Sequence, residues 1–136
     1  MILHFGVIDI PYADDAISTG EVAEILEQDY QVMEGYRDLH LNAIAQSLEN
    51  SLAGSLETLM MGGQVTNPFN SAMSSIEQGF RHYLDMEEIA KLGRKGVPTK
   101  AALKGASKRF KRFYGARRPS FIDTGLYQSS FKAWVE

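Results

Sequence analysis

The chain reads as a mainly α protein with a minor β element, an α+β arrangement. Three or four helices are expected, one of them long, beside a small sheet from the terminal strands. Apolar residues recur at three- and four-residue steps from Val22 to Leu59, the period of one helix face. A capping-box spacing opens that run. Both ends of the chain carry short clusters rich in β-branched and aromatic residues.

The first cluster, ILHFGVIDIPY, ends at Pro11 and is expected to be a short strand, with Gly6 and the proline making it an edge or arm. Ser18-Thr-Gly-Glu21 has the S-x-x-E spacing in which serine and glutamate side chains reach each other's backbone amides, so a helix should start at Thr19. Ile17 and Val22 flank the box as a hydrophobic staple. An unbroken helix from there to Met61 would be a rod of about 65 Å at 1.5 Å per residue. A break near Tyr30 to Gly35 is therefore expected, leaving a short helix and a long one that stops at Gly62-Gly63. Asn67-Pro68 reads as an N-cap with proline in the first helical position. Phe69, Ala72, Met73, Ile76, Phe80, Tyr83 and Leu84 then form the inward face of a third helix that ends before Gly93. The segment GRKGVP is a polar, glycine-rich hinge, expected to be a mobile basic connection from Gly93 to Pro98.

A fourth helix should follow, with Lys100, Lys104, Lys108, Lys111 and Arg112 on one broad face and Leu103, Ala106, Phe110 and Phe113 opposite. Past Arg117-Arg118-Pro119, extended because the residue before proline is pushed out of helical space, Asp123-Thr124-Gly125 suggests a turn or cap. Leu126 to Ser130 can add one helical turn before a final strand, FKAWV. Phe131, Ala133 and Val135 would lie on one side of that strand and Lys132 and Trp134 on the other. Its natural partner is the N-terminal strand, in the same subunit or the next.

At 136 residues and 44% hydrophobic, the chain has the size of one domain able to bury a core without staples. It contains no cysteine, which excludes disulfides and thiolate metal sites. The N-terminus lacks a basic leader and meets Asp9, Asp14 and Asp15 early, and the longest uncharged runs fall short of a bilayer span. A soluble, non-exported protein with no membrane partner is expected.

Charge is the most informative feature of the composition. Residues 1–90 carry two basic against fifteen acidic residues, a net of -13, and residues 91–136 carry twelve against two, a net of +10. The single domain thus divides into an acidic helical part, 1–92, and a basic helix and C-terminal tail, 93–136. Such bipolarity suits a polyanion at the basic end, the chain's own acidic segment, or an acidic face on a neighbouring subunit. On the expected fourth helix, a solvated surface explains the lysine face as well as anion binding does. Lysines so spaced suit diffuse phosphate attraction without base readout.

The closing stretch RRPSFIDTGLYQSSFKAWV resembles the end of small structural proteins of long-tailed bacteriophages. These are the tail-completion and head-to-tail neck proteins, including the minor tail protein Z-like group. The matching residues are Pro119, Asp123, Thr124, Gly125, Leu126, Ser129 and Ser130, followed by the strand that bears Trp134. The leucine directly follows the glycine, a departure from the commoner spacing. The resemblance implies a non-enzymatic ring component at the junction of capsid and tail. It would contact connector, tail terminator, tail tube or sheath proteins, in virions after synthesis in the host cytoplasm. Interface or polyanion-contact candidates are then Lys100, Lys104, Lys108, Lys111, Arg112, Arg117 and Arg118, with non-specific DNA contact in a channel as a further role. The alternative is a small nucleic-acid-binding module using the basic helix 100–112, with Phe110, Phe113 and Tyr114 stacking on bases.

Other chemistry finds little support in the residues. D-T-G also occurs in aspartic proteases, but there it follows a hydrophobic strand in a mainly β chain. His4, His40 and His82 lack metal-ligand spacing. The acidic pairs Asp14-Asp15 and Glu87-Glu88 suit solvated or helix-end roles. Ser129 and Ser130 lie outside any G-x-S-x-G elbow, and no G-K-[ST] ending follows Gly93. No catalytic residue, cofactor or metal is expected. Trp134 is expected to be an anchor in the fold or at an interface.

Overall fold

The computed structural model describes residues 1–13, 16–107, 111–123 and 125–136. The chain runs β1 (Leu3–Val7), α1 (Thr19–Tyr30), α2 (Val32–Met60) and α3 (Asn70–Asp85). A 3-10 turn at Glu88–Leu92 follows, then α4 (Lys100–Lys104), α5 (Leu126–Ser130) and β2 (Phe131–Val135). The mainly helical class with a small terminal sheet is the one its periodicity predicts.

Ser18 opens α1 with a complete capping box. Its Oγ accepts the Glu21 amide at 3.4 Å, and the Glu21 carboxylate accepts the Ser18 amide at 3.2 Å. The expected break falls at Gln31, whose φ of 52° ends α1 and starts α2 in the left-handed region. Glu27 secures the restart, because its two carboxylate oxygens accept the amides of Met33 (2.8 Å) and Glu34 (3.0 Å). These are orphan donors of a new helix, and a carboxylate there also meets the positive end of the helix dipole. A second, smaller deviation sits at His40, where φ is -120° inside α2.

Three sequence expectations need correction. First, α3 does not begin at Pro68. The Asn67 side chain accepts from the Phe69 amide in a tight turn, and the helix opens at Asn70 with Phe69 in the capping position. Second, the hinge after Gly93 is tied down, because the Arg94 guanidinium donates to the carbonyls of Tyr30, at 2.7 Å, and Gln31. Third, no helix spans 100–112. The α4 helix stops after Lys104 because Gly105 takes φ 63°, and an added Cβ there would lie 2.3 Å from the Ala116 carbonyl oxygen. The chain then folds back, with Ser107 and Arg112 exchanging backbone bonds of 2.7 and 2.8 Å and Lys111 at φ 51°. A glycine that both caps a helix and admits another backbone overrides the lysine periodicity.

β1 and β2 pair antiparallel, Leu3 with Val135 through Val7 with Phe131. Phe131 and Ala133 are buried, as alternation requires, while Trp134 is exposed on the other face. There it stacks on His4, ring centroids 5.3 Å apart, and lies across Gly6, where a Cβ would be 2.9 Å from the indole. The core forms between this sheet, α2 and α3. Phe80 and Phe131 stack at 3.8 Å and are fully buried, with Tyr36 edge-on to both. Burying each such ring contributes about 1.5–3 kcal/mol. No helix among the described residues is long and apolar enough to cross a membrane.

Candidate functional site

The basic C-terminal segment is built from α4 and the loops around it, and most of its arginines are tied inward. Arg118 donates from Nε to the Ile122 carbonyl (2.7 Å) and from Nη1 to that of Ala106 (2.7 Å), with Nη2 3.8 Å from Asp123. Arg112 donates to the Gly105 carbonyl at 2.7 Å. Arg117 reaches Glu87 at 2.9 Å. The other oxygen of Glu87 accepts from the buried Ser120 hydroxyl, which itself accepts the Thr99 amide. Thr99 in turn caps α4 through the Ala102 amide. A guanidinium carries five donors in a rigid fork, so it can fasten several loops at once in a fixed geometry.

The bipolar charge is therefore partly resolved within the chain itself. Arg117–Glu87 and Lys132–Glu77 both join the basic part to the acidic part, and Glu77 also accepts the Ala133 amide at 3.2 Å. Lys100, Lys104 and Lys111 are exposed; Lys100 and Lys104, four residues apart, share a face of α4, and Lys111 lies beyond the helix. Lys108 and Phe110 lie outside the described residues, as do Thr124 and the Asp14-Asp15 pair.

The stretch from Pro119 to Ser130 serves the join between this segment and the sheet. Pro119 leads into the turn, its carbonyl accepting from the Ile122 amide at 3.4 Å. Asp123 accepts from the Ser107 hydroxyl at 2.8 Å, clamping the fold-back to the motif. Gly125, at φ 80°, starts α5, whose first residue is Leu126. Ser129 is exposed and donates to the Leu126 carbonyl; Ser130 is buried and donates to that of Tyr127. The stretch thus turns the chain into β2. Among the described residues no cluster of His, Asp or Glu could hold a metal ion.

Two surfaces stand out by exposure. The first is the far end of the α2–α3 hairpin. Asn50 to Ile76 holds one charged residue, Glu57. The apolar stripe of α2 leaves the core after Leu48, because Ser51 and Ser55 turn to the Pro68 carbonyl. Leu52, Leu56, Leu59, Met60 and Met61 are consequently exposed, the two methionines at 81% each. The second is the loop after Arg112, where Phe113 and Tyr114 are 82% and 75% exposed. Sequence periodicity flagged the stripe but not that its last turns lack cover. Glu77, Arg94 and Ser120 carried no local signal, since each acts on residues far away in the chain.

No family model, curated protein or solved structure matches this chain.

Proposed function

We propose that the protein is a non-enzymatic structural component of a tailed bacteriophage, part of the neck or tail-completion ring that joins capsid connector and tail. The observation that carries this reading is the hairpin tip, charged only at Glu57, with five exposed large apolar residues, Leu52, Leu56, Leu59, Met60 and Met61. Contiguous apolar surface of this kind marks a contact that excludes water when made. The resemblance of the closing segment from Pro119 to Ser130 supplies the class of assembly, and the bipolar surface charge favours one register between repeated neighbours.

The nucleic-acid reading draws less support. Arg112, Arg117 and Arg118 are engaged by carbonyls or carboxylates, and the acidic first part repels a phosphate backbone. An antibody against the chain, applied to purified particles of the phage that encodes it, tests the proposal. Label at the head-to-tail junction is expected; particles without the protein would contradict it.

A further inference from the structure

The sheet has two edges, and among the described residues one of them, that of β2, is covered. The closing bonds, Ile2 amide to Glu136 carbonyl (2.9 Å) and Ile8 amide to Ser130 carbonyl (2.8 Å), set the phase of the ladder. Even-numbered residues of β1 exchange bonds with β2, so the amides and carbonyls of Leu3, Phe5 and Val7 point to the opposite edge. On β2 the corresponding edge is taken by Glu77, which accepts the Ala133 amide. Beside β1 lies instead an open groove of about 550 Å3. Leu3, Phe5, Met33, Leu41 and Ile44 form its apolar lining, and Glu27 and Glu34 border it. Its one cation, Arg37, is already paired with Glu34 and Asp38.

The groove wants aromatic or aliphatic side chains carried on a basic segment, and the chain itself displays one. Phe113 and Tyr114 project from an exposed stretch, 111–117, that holds no acidic residue and in which Lys111 is exposed while Arg112 and Arg117 are tied to Gly105 and Glu87. Building on the ring proposed above, we infer that the Phe113–Tyr114 loop of one copy docks in the β1-edge groove of the next. The two rings fill the apolar lining, Lys111 faces the acidic border of Glu27 and Glu34, and the outward backbone groups of β1 meet the loop backbone. Loop and groove are different surfaces, so the contact is head-to-tail, the kind that closes into a ring when the rotation per copy permits.

The cysteine-free chain permits a direct test. Leu41→Cys and Tyr114→Cys, made in separate full-length chains, are mixed and oxidised. A disulfide-linked dimer that needs both variants is expected, and neither variant alone should cross-link. In parallel, Phe113→Ser with Tyr114→Ser should reduce the oligomer to monomer with an unchanged circular dichroism spectrum, since both side chains are exposed. No mixed cross-link, or cross-linking of a single variant to itself, overturns the contact. So does an oligomer that survives the double serine change. In those cases a wild-type oligomer still stands and the ring reading with it, whereas a wild-type chain monomeric at every concentration defeats both.

Discussion

The hydroxyl of Tyr83, on α3, donates to the carbonyl of Val32 at 2.9 Å across 51 residues of sequence. Tyr36, one turn into α2, returns the contact by donating to the Ile76 carbonyl, also at 2.9 Å. These reciprocal bonds fix how the two long helices lie against each other at the point where α2 restarts after Gln31. Tyr83→Phe keeps the ring and removes the bond, so it should cost about 0.5–1.5 kcal/mol, read as a lower urea midpoint with an unchanged slope.

The same phenols set an alkaline limit. Burial first, and then the negative charge of Glu88, push the Tyr36 hydroxyl up to about 12 from an ordinary value of 10.0. Burial likewise raises Tyr83 and Tyr127. Above pH 10 the unfolded chain gives up phenolic protons that the folded chain retains, so unfolding becomes easier as pH rises. The stabilisation is fully present below pH 10 and declines through about pH 12. Chemical denaturation at pH 9 and pH 11.5 should show this loss, and Tyr36→Phe should lessen it.

Glu77 guards the β2 edge. Glu77→Ala strands the Ala133 amide and releases Lys132, with an expected cost of about 1.5–3 kcal/mol for a charge-assisted bond. Glu77→Gln, which retains an acceptor, should recover part of that loss. The alanine variant should also aggregate more readily on heating, because it leaves two strand edges open. Equal stability of the two variants would remove the acceptor from the explanation.

Gly105 and Gly54 give opposite outcomes for the same change. At Gly105 an alanine Cβ meets backbone at 2.3 Å in a left-handed conformation, so Gly105→Ala should destabilise the fold-back that carries the basic loop. The strain alone costs about 1 kcal/mol and the clash adds to it. At Gly54, inside α2, a Cβ meets nothing within 4 Å. Gly54→Ala should therefore raise stability by about 0.8–1 kcal/mol, measured by thermal or urea unfolding.

Signals that act within a turn or two of chain were legible in the sequence. The Ser18–Glu21 box, the break at Gln31, the short helix before β2 and the alternation of Phe131, Ala133 and Val135 are all of this kind. The basic helix was misread because its lysine spacing is periodic while Gly105 stops it, and the reason lies in a backbone contact with residues 115 and 116 that no local pattern records. For the candidate surfaces, composition revealed the segregated charge but not its partial resolution. Arg117–Glu87 and Lys132–Glu77 exist only once α3 and the tail are brought together. The exposure of Leu52, Leu56 and Leu59 was equally hidden, since an apolar stripe has the same period whether or not another helix covers it.

The central claim is that this chain acts by assembling with protein rather than by binding nucleic acid. Light scattering of the purified protein across concentration and salt, with a labelled DNA duplex titrated in parallel, tests it most directly. The account predicts a ring-sized species and little duplex affinity at physiological salt, with Leu56→Asp and Met60→Asp lowering contact with the virion proteins proposed as its partners and leaving the fold intact. A monomer that binds the duplex tightly, with affinity falling steeply as salt rises, would contradict it.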